Sequence, residues 1–371
     1  MSKARFLPAC LLLVVCCGSL GPAWVVAQES SAELLNQAYQ LSRTAKTAAE
    51  YSKIIELCEQ GIPKADEAGQ AYAKKLMAWS LNRRGQEMLD ANKIKEAQAD
   101  FDKAIVSDPT LWRAYHNRGF IHAGFGNYDA ALADFDKTLE LSPRYDKAYF
   151  NRGEIYYLLG KYEEAAKDYT KSLELSPNDS EIYNRRGYAY YQLGKRQQAA
   201  ADYNRSVALD PKNVSALINR GDMYGDLGQL EQAAIDYRAA INADPNSHRA
   251  YVSAARMMST SPDARFRNPQ MALQSASRAL ELLGEAENPY RYRYLETLAA
   301  AQANAGQFKE AIATLQQALE LALDDDKPRL QAELKLYQAN QPFRDSKATA
   351  NAATPETTPN AKGPTLGNVP Q

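Results

Sequence analysis

Side chains that could perform catalysis are sparse in this chain of 371 residues. Of its three histidines, His116 and His122 are six residues apart, which places them on different faces of a helix. Cys58 is the one cysteine outside an apolar N-terminal run, so the main body holds no cysteine pair. Gly124-Phe-Gly126 ends a predicted helix and follows no strand, unlike a phosphate-binding loop. We therefore expect no catalytic residue, no metal site and no cofactor, and we expect Cys58 to be a small buried hydrophobe.

Charged side chains recur instead at one constant interval along the chain. Each member of the first column precedes a glycine: Arg84, Arg118, Arg152, Arg186 and Arg220. A second column has the same period: Asp100, Asp134, Asp168, Asp202 and Asp236. A guanidinium group binds a carboxylate through two parallel hydrogen bonds, so we predict Arg–Asp pairs that fix register and orientation. Capture of phosphate or another anion by the arginines is the alternative.

The elements that carry these columns are predicted to be paired helices. Alanine, aromatic and proline columns hold the same period, the last at Pro109, Pro143, Pro177, Pro211 and Pro245. In the unit that begins near residue 146, one helix is expected at 146–159 and a second at 162–175. Gly160 suits the left-handed end of the first helix, and the proline stops the second. Gly153, inside the first helix, is explained if the second helix packs closely against it.

This pattern resembles the tetratricopeptide repeat family, whose unit of about 34 residues is a helix–turn–helix. Large residues stand where the family usually has tryptophan: Leu81, Tyr115, Tyr149, Tyr183 and Leu217. The resemblance implies an all-α, right-handed superhelical solenoid of about seven or eight hairpins. We assign divergent helices to 28–77, five regular units to 78–246, and degenerate units with a capping helix to 247–340. The closing segment, 261–344, is similar to that of exported bacterial repeat proteins, notably from planctomycetes.

The resemblance also implies a binding site, because first helices line the concave side in this family. Three asparagines share one register there, Asn117, Asn151 and Asn219, with Arg185 in the same column. An amide both donates and accepts hydrogen bonds, so the column could bind an extended peptide backbone. Asparagines that only cap or fill are the alternative. We add neighbouring groove candidates with polar or aromatic side chains: His116, Tyr157, Asn184, Tyr188 and Tyr191. Tyr156, Tyr190 and Tyr224, one position away, are expected in the core.

One known mode of recognition in this family does not fit the sequence. Relatives that bind chaperones hold a C-terminal carboxylate with Lys and Asn on one unit, Asn on the next, and Lys with Arg on the third. Lys147 and Arg185 stand at clamp-like places but in different units, and Glu181 replaces the expected lysine. We therefore do not expect that clamp to operate here.

The N-terminal segment, 1–27, has the layout of a secretory signal peptide. Lys3 and Arg5 precede an apolar run at 6–20, and the small residues at 25–27 fit cleavage after Ala27. Lipidation at Cys10 or Cys16 and an uncleaved anchor remain alternatives. Export would place the protein in the periplasm or cell envelope, or outside the cell, without membrane insertion after cleavage.

Overall charge and the C-terminal composition complete the prediction. Lys plus Arg is 44 and Asp plus Glu is 45, a balance that disfavours nucleic acid as a partner. Residues 341–371 are rich in Ala, Thr, Pro and Asn and are predicted to be a disordered tail. We predict a non-enzymatic scaffold that binds a protein or peptide in the concave groove. The alternatives are an envelope assembly factor using its convex face or tail, and a module that binds envelope polysaccharide.

Overall fold

The structure, a computed structural model, describes residues 29–284 and 288–345. Within these ranges the chain forms 17 α-helices and two short 3-10 helices, and no strand. The predicted signal peptide and residues 346–371 of the predicted tail lie outside the described residues. No helix in the described ranges is long and apolar enough to cross a membrane.

The α-helices pair into eight antiparallel hairpins, and a single helix follows them. In chain order they are α1 (Ser31–Ser42), α2 (Ala48–Gly61), α3 (Glu67–Asp90), α4 (Ile94–Ser107), α5 (Trp112–Gly124), α6 (Tyr128–Leu141), α7 (Asp146–Leu158), α8 (Tyr162–Leu175), α9 (Ser180–Gln192), α10 (Arg196–Leu209), α11 (Val214–Asp226), α12 (Leu230–Ala243), α13 (His248–Thr260), α14 (Pro269–Leu283), α15 (Arg291–Asn304), α16 (Phe308–Leu321) and α17 (Lys327–Gln338). The 3-10 helices are Ile62–Lys64 and Ala264–Phe266. We call α1, α3 and the other odd-numbered members through α15 the first helices of their hairpins.

The turn inside four of the five regular hairpins depends on a glycine, and in the first of them Asn92 takes that place with a φ of +57°. Gly160 has a φ of +71°, and Lys161 N–H donates to the Tyr156 carbonyl at 2.8 Å, which closes helix α7. Gly126, Gly194 and Gly228 have φ between +69° and +74° at the equivalent places. An L side chain there would be strained, so the periodic glycine is the reason that the chain reverses after 13 residues of helix.

Close approach of the paired helices explains the second periodic glycine. A Cβ added at Gly153 would lie 2.9 Å from Cε1 of Tyr169 and 3.4 Å from the carbonyl oxygen of Ala165. The same aromatic column is buried in every regular unit: Phe101, Phe135, Tyr169, Tyr203 and Tyr237. The predicted close approach of the second helix at Gly153 is therefore confirmed, and Tyr169, whose contact with this glycine was not predicted, is its nearest side chain.

Stacking of the hairpins places the first helices side by side. Consecutive first helices contact one another from α3 through α15, and each second helix of a regular unit also packs on the first helix of the next hairpin. This arrangement makes one surface entirely from first helices, which we call the inner groove. The all-α repeat solenoid predicted from the sequence is confirmed.

The N-terminal boundary differs from the prediction. Helix α3 has 24 residues and runs without a break across the boundary placed between residues 77 and 78. Its first half packs on α1 and α2 through Ala73 and Leu76, so the divergent hairpin and the first regular unit share one helix. At this end Cys58 is fully buried, as predicted, and burial raises the pKa of its thiol to about 12.

The chain continues in contact with the solenoid after α17. Residues 341–345, which we call the strap, turn back toward the ends of α15 and α13. Arg344 donates from Nη1 to the Ser259 carbonyl at 2.9 Å and from Nη2 to Asn304 Oδ1 at 2.9 Å. Asp345 N–H donates to the Thr260 carbonyl at 2.8 Å. The first five residues assigned to the tail therefore belong to the folded body.

Candidate functional site: the inner groove

The inner groove is held in register by side-chain amides of neighbouring units. Asn117 Nδ2 donates to Asn82 Oδ1 at 2.9 Å, and Asn219 Nδ2 donates to Asn184 Oδ1 at 3.0 Å. In each pair the donor belongs to one first helix and the acceptor to the preceding one, 35 residues earlier. Asn117, Asn184 and Asn219 are all buried. These amides bond one unit to the next.

His116 takes the place of an asparagine in this network. Burial lowers its pKa to about 4, so the imidazole is neutral near pH 7. Asn151 Nδ2 lies 3.0 Å from His116 Nε2, and His116 Nδ1 lies 3.3 Å from Asn117 Oδ1. An amide N–H must donate to Nε2, which assigns the proton of the imidazole to Nδ1. A chain of hydrogen bonds thus crosses α7, α5 and α3.

The asparagine column is accordingly engaged before any ligand arrives. Asn117 and Asn219 use their amide N–H groups to bond neighbouring units, while Asn151 is half-buried. Their role in binding a peptide stays a prediction. His116 and Asn184 were predicted as groove residues, but the acceptor role that they share with Asn82 was not, because each bond joins residues 35 positions apart and so connects two different columns of the repeat.

The exposure of the tyrosine side chains differs from the prediction. Tyr157 and Tyr188 are only 9% and 8% exposed, and their rings meet edge to face at 5.3 Å within a hydrophobic cluster. Tyr156 and Tyr190, assigned to the core, are half-buried with a guanidinium group of the arginine column near each ring. Of the three predicted groove tyrosines, Tyr191 is the half-buried one.

Arg185 lies in the groove between two carboxylates. Its Nε donates to Glu181 Oε1 at 2.7 Å and lies 3.6 Å from Glu154 Oε1 on the preceding first helix. Glu154 also accepts a hydrogen bond from Tyr169. The two carboxylates, Glu154 first, raise the pKa of Arg185 above its ordinary value. A ligand that engages Arg185 must therefore compete with, or bind alongside, existing charge partners.

Two further carboxylates lie one helical turn apart on α11. Tyr191 donates to Asp226, and Tyr237 donates to Asp222 at 2.8 Å. Burial raises the pKa of both carboxyl groups above the ordinary value. On the next first helix, Arg249 Nη2 donates to Asn219 Oδ1 at 3.1 Å. Asp226 and Arg249 carried no periodic signal, since the three preceding units have other residue types at the equivalent positions and the same types return only at Asp90 and Arg113, four units earlier.

The arginine column faces away from this surface and is satisfied by protein groups. In all five units Nε and Nη2 bind both oxygens of the aspartate 16 residues later, at 2.6–2.8 Å. The remaining Nη1 reaches the second helix of the preceding unit, as from Arg152 to Asp136 at 2.6 Å. The predicted Arg–Asp pairs are confirmed, within units and between them. With every nitrogen engaged, the structure favours their structural role over anion capture.

Metal-binding geometry is missing from the part of the chain that the structure describes. No group of three or more His, Cys, Asp or Glu side chains there could hold a metal ion. What the groove presents is a periodic surface of aromatic rings, amides and compensated charges.

Comparison with known proteins agrees with this architecture. Models of the TPR repeat match residues 126–160, 153–194 and 187–228, and models of the tetratricopeptide repeat match 214–247 and 292–325. No curated protein sequence matches the chain.

Solved structures of two bacterial proteins are similar in fold to this chain. A tetratricopeptide repeat protein from Parabacteroides merdae is 18% identical with a TM-score of 0.51, covering 70% of this chain and 98% of its own. PilF from Pseudomonas aeruginosa is 19% identical with a TM-score of 0.51, covering 60% of this chain and 96% of its own. At such identity the likeness shows the fold alone. Repeat period, hairpin packing and family matches agree that residues 126–247 and 292–325 of this chain form tetratricopeptide repeats.

Proposed function

We propose that this protein is a non-enzymatic adaptor that binds an extended polypeptide segment in its inner groove, outside the cytoplasm. Tetratricopeptide repeats indicate a protein–protein interaction scaffold, and proteins built from them are generally not enzymes. The peptide, the groove and the location are the parts that this proposal adds.

One observation supports the groove: contacts between successive first helices recur at sequence separations close to the repeat period. Asn219 and Arg249 contact each other 30 residues apart, and the amide pairs do so 35 residues apart. The same side-chain positions therefore return at each helix, about 8–10 Å along the groove. An extended chain advances about 3.3 Å per residue, so roughly three of its residues pass each unit. A linear polymer of amides and side chains matches this periodic surface.

Partly exposed groups provide the contacts. The side chains of Arg185 and Glu181 are 35% and 44% exposed, and Tyr191 is half-buried beside them. Tyrosine and arginine contribute strongly to interfaces because they cover large areas at little cost in conformational entropy. The predicted signal sequence at 1–27 supports a location in the periplasm or cell envelope.

A second candidate function uses the outer face. Three large apolar side chains on second helices are well exposed: Val106 at 83%, Ile235 at 64% and Leu321 at 52%. A structural or assembly factor of the cell envelope would dock through such side chains and leave the groove empty.

Blocking one face at a time separates the two candidates. Ser215 occupies the groove position equivalent to Glu181 and Arg249, and no hydrogen bond of its side chain would be lost on substitution. We expect Ser215→Trp to abolish capture of a partner from an envelope extract, while Ile235→Trp captures it as the unaltered protein does. If Ile235→Trp abolishes capture of the partner and Ser215→Trp does not, the partner binds the outer face and the proposed groove site is wrong. Circular dichroism confirms that both variants are folded.

A further inference from the structure

Positive charge is concentrated at one end of the inner groove. Three cationic side chains lie on consecutive first helices: Arg83 on α3, Arg113 on α5 and Lys147 on α7. Within the described residues none of the three forms an ion pair. Further along the groove, by contrast, Arg185 has Glu154 and Glu181 as partners. The N-terminal end of the groove thus carries three cations on consecutive helices that no ion pair compensates.

The register of the solenoid brings these cations together. Asn219 and Arg249, 30 residues apart on adjacent first helices, are within hydrogen-bond distance. Arg83 and Arg113 are separated by the same number of residues and occupy the repeat positions equivalent to Asn219 and Arg249. Lys147 follows Arg113 by one repeat, and its charge helps to lower the pKa of His116, second to burial. The three cations therefore line one continuous stretch of groove that we call the basic end.

Arg83 carries an unsatisfied donor. Its Nε is buried and has no hydrogen-bond partner, and its side chain makes one hydrogen bond within the described residues, from Nη1 to Gln86 at 3.5 Å. Its guanidinium lies 5.9 Å from the ring of Trp79. A buried guanidinium N–H without an acceptor costs free energy that an arriving carboxylate could recover.

Aromatic surface and helix ends favour the same kind of ligand. Arg113 stacks on Trp112 at 4.2 Å, and Trp112 contacts Tyr145 at 4.5 Å. Helices α5 and α7 begin without a side-chain cap, whereas α9, α11 and α13 are capped by Asp179, Asn213 and Ser247. Their free N–H groups add positive potential beside Arg113 and Lys147.

We propose that the basic end binds an acidic stretch of the partner polypeptide, through its side-chain carboxylates and without need of a free C-terminus. This inference rests on the proposed peptide-binding function and names the chemistry of the partner. Three helices span about 16–20 Å, which an extended chain covers in about six residues. Two or three acidic side chains in such a segment meet the three cations, and the rings of Trp79 and Trp112 pack on the segment between them.

Synthetic peptides test this directly on the full chain. The probe is a fluorescein-labelled decapeptide of alternating Glu and Ser, acetylated and amidated so that its side chains carry the negative charge. The comparison peptide has Gln in place of Glu. We expect the Glu peptide to bind at least about tenfold more tightly by fluorescence anisotropy at low salt, and to weaken as salt is raised.

Charge reversal assigns the effect to the basic end. R113E combined with K147E is expected to abolish the preference for Glu over Gln. The matched control, K161E combined with K195E, makes the same change in net charge at exposed residues of the turns, and it should keep the preference. Circular dichroism verifies the fold of both proteins.

The other outcomes overturn the inference. Equal affinity for the two peptides, a preference that survives in R113E/K147E, or one that the control also loses would each refute the basic end as the site. If both peptides bind with equal affinity and Ser215→Trp abolishes that binding, the groove binds peptides but has no preference for an acidic segment. If neither peptide binds, the inference about an acidic segment is wrong. The proposed function is still tested separately by whether the unaltered protein captures a partner that Ser215→Trp does not.

Discussion

Removing Arg152 should destabilise the solenoid far more than removing its exposed partner. Arg152 binds Asp168 through two hydrogen bonds of 2.8 Å, and the Asp168 side chain is only 8% exposed. Its third nitrogen binds Asp136, whose side chain is 59% exposed. Arg152→Leu leaves a buried carboxylate without a counter-charge, so we expect a loss of about 3–5 kcal/mol in the free energy of unfolding. Asp136→Asn breaks an exposed pair and should cost less than about 1 kcal/mol.

Urea denaturation followed by circular dichroism measures both changes, and hydrogen exchange of α7 and α8 locates them. In the double variant with Leu at both 152 and 168, no buried charge is left unpaired, so most of the lost stability should return. The reasoning is refuted if Arg152→Leu costs no more than Asp136→Asn. It is refuted equally if the double variant is less stable than Arg152→Leu alone.

Three further predictions concern pH and the C-terminal end. Burial lowers the pKa of His116 to about 4, so as the pH falls the histidine of the unfolded chain is protonated before that of the folded chain. The free energy of unfolding should therefore decrease as the pH is lowered from about 6.5 to 4. His116→Phe should reduce this decrease in acid titrations followed by circular dichroism. Burial and, to a smaller extent, the charge of nearby Glu296 raise the pKa of Glu333 to about 8. The stability that this protonated carboxyl contributes is complete below about pH 4.5 and is lost as the pH rises through 8. Glu333→Gln should therefore remove a decline in melting temperature between those values; an unchanged decline would contradict the assignment. Arg344→Ala removes the two hydrogen bonds that Arg344 donates from the strap and should raise hydrogen-exchange rates at the ends of α13 and α15, while Lys161→Ala, exposed in a turn, should leave those rates unchanged.

Contacts within one repeat could be predicted because both partners share a period. Arg152 and Asp168 belong to columns with the same repeat interval, so a pair in one unit implies a pair in all. The close approach of the second helix at Gly153 was predictable for the same reason, since a costly glycine inside a helix requires a neighbour that fills the space, but the sequence did not identify Tyr169 as that neighbour.

Contacts between repeats were harder to predict, because they join different columns. The Asn82–Asn117 pair has a spacing of 35 residues and its acceptor position varies between asparagine and histidine. The sequence therefore predicted an asparagine ladder that is open to ligands, whereas the structure buries two of its three members. Substituting those asparagines would break bonds between units as well as any ligand contact, so Ser215 is the better position for testing the groove.

Some features left no local trace in the sequence. The strap contacts Ser259 and Thr260 across 85 residues, and a polar, proline-containing composition gave no sign of that docking. Helix α3 crosses the predicted unit boundary because residues 67–77 are as compatible with helix as those that follow. Both depend on tertiary packing, which overrides the propensity of a short segment.

Site-specific photo-crosslinking tests the central claim, that the inner groove binds the partner. A photo-reactive residue is placed at Ser215 in the groove or at Ile235 on the outer face, and crosslinking is carried out in cells of the native host. We predict that the same partner polypeptide is crosslinked from Ser215 and not from Ile235, and that excess acidic peptide reduces its yield. A partner crosslinked from Ile235 alone would contradict the account and move the interface to the outer face.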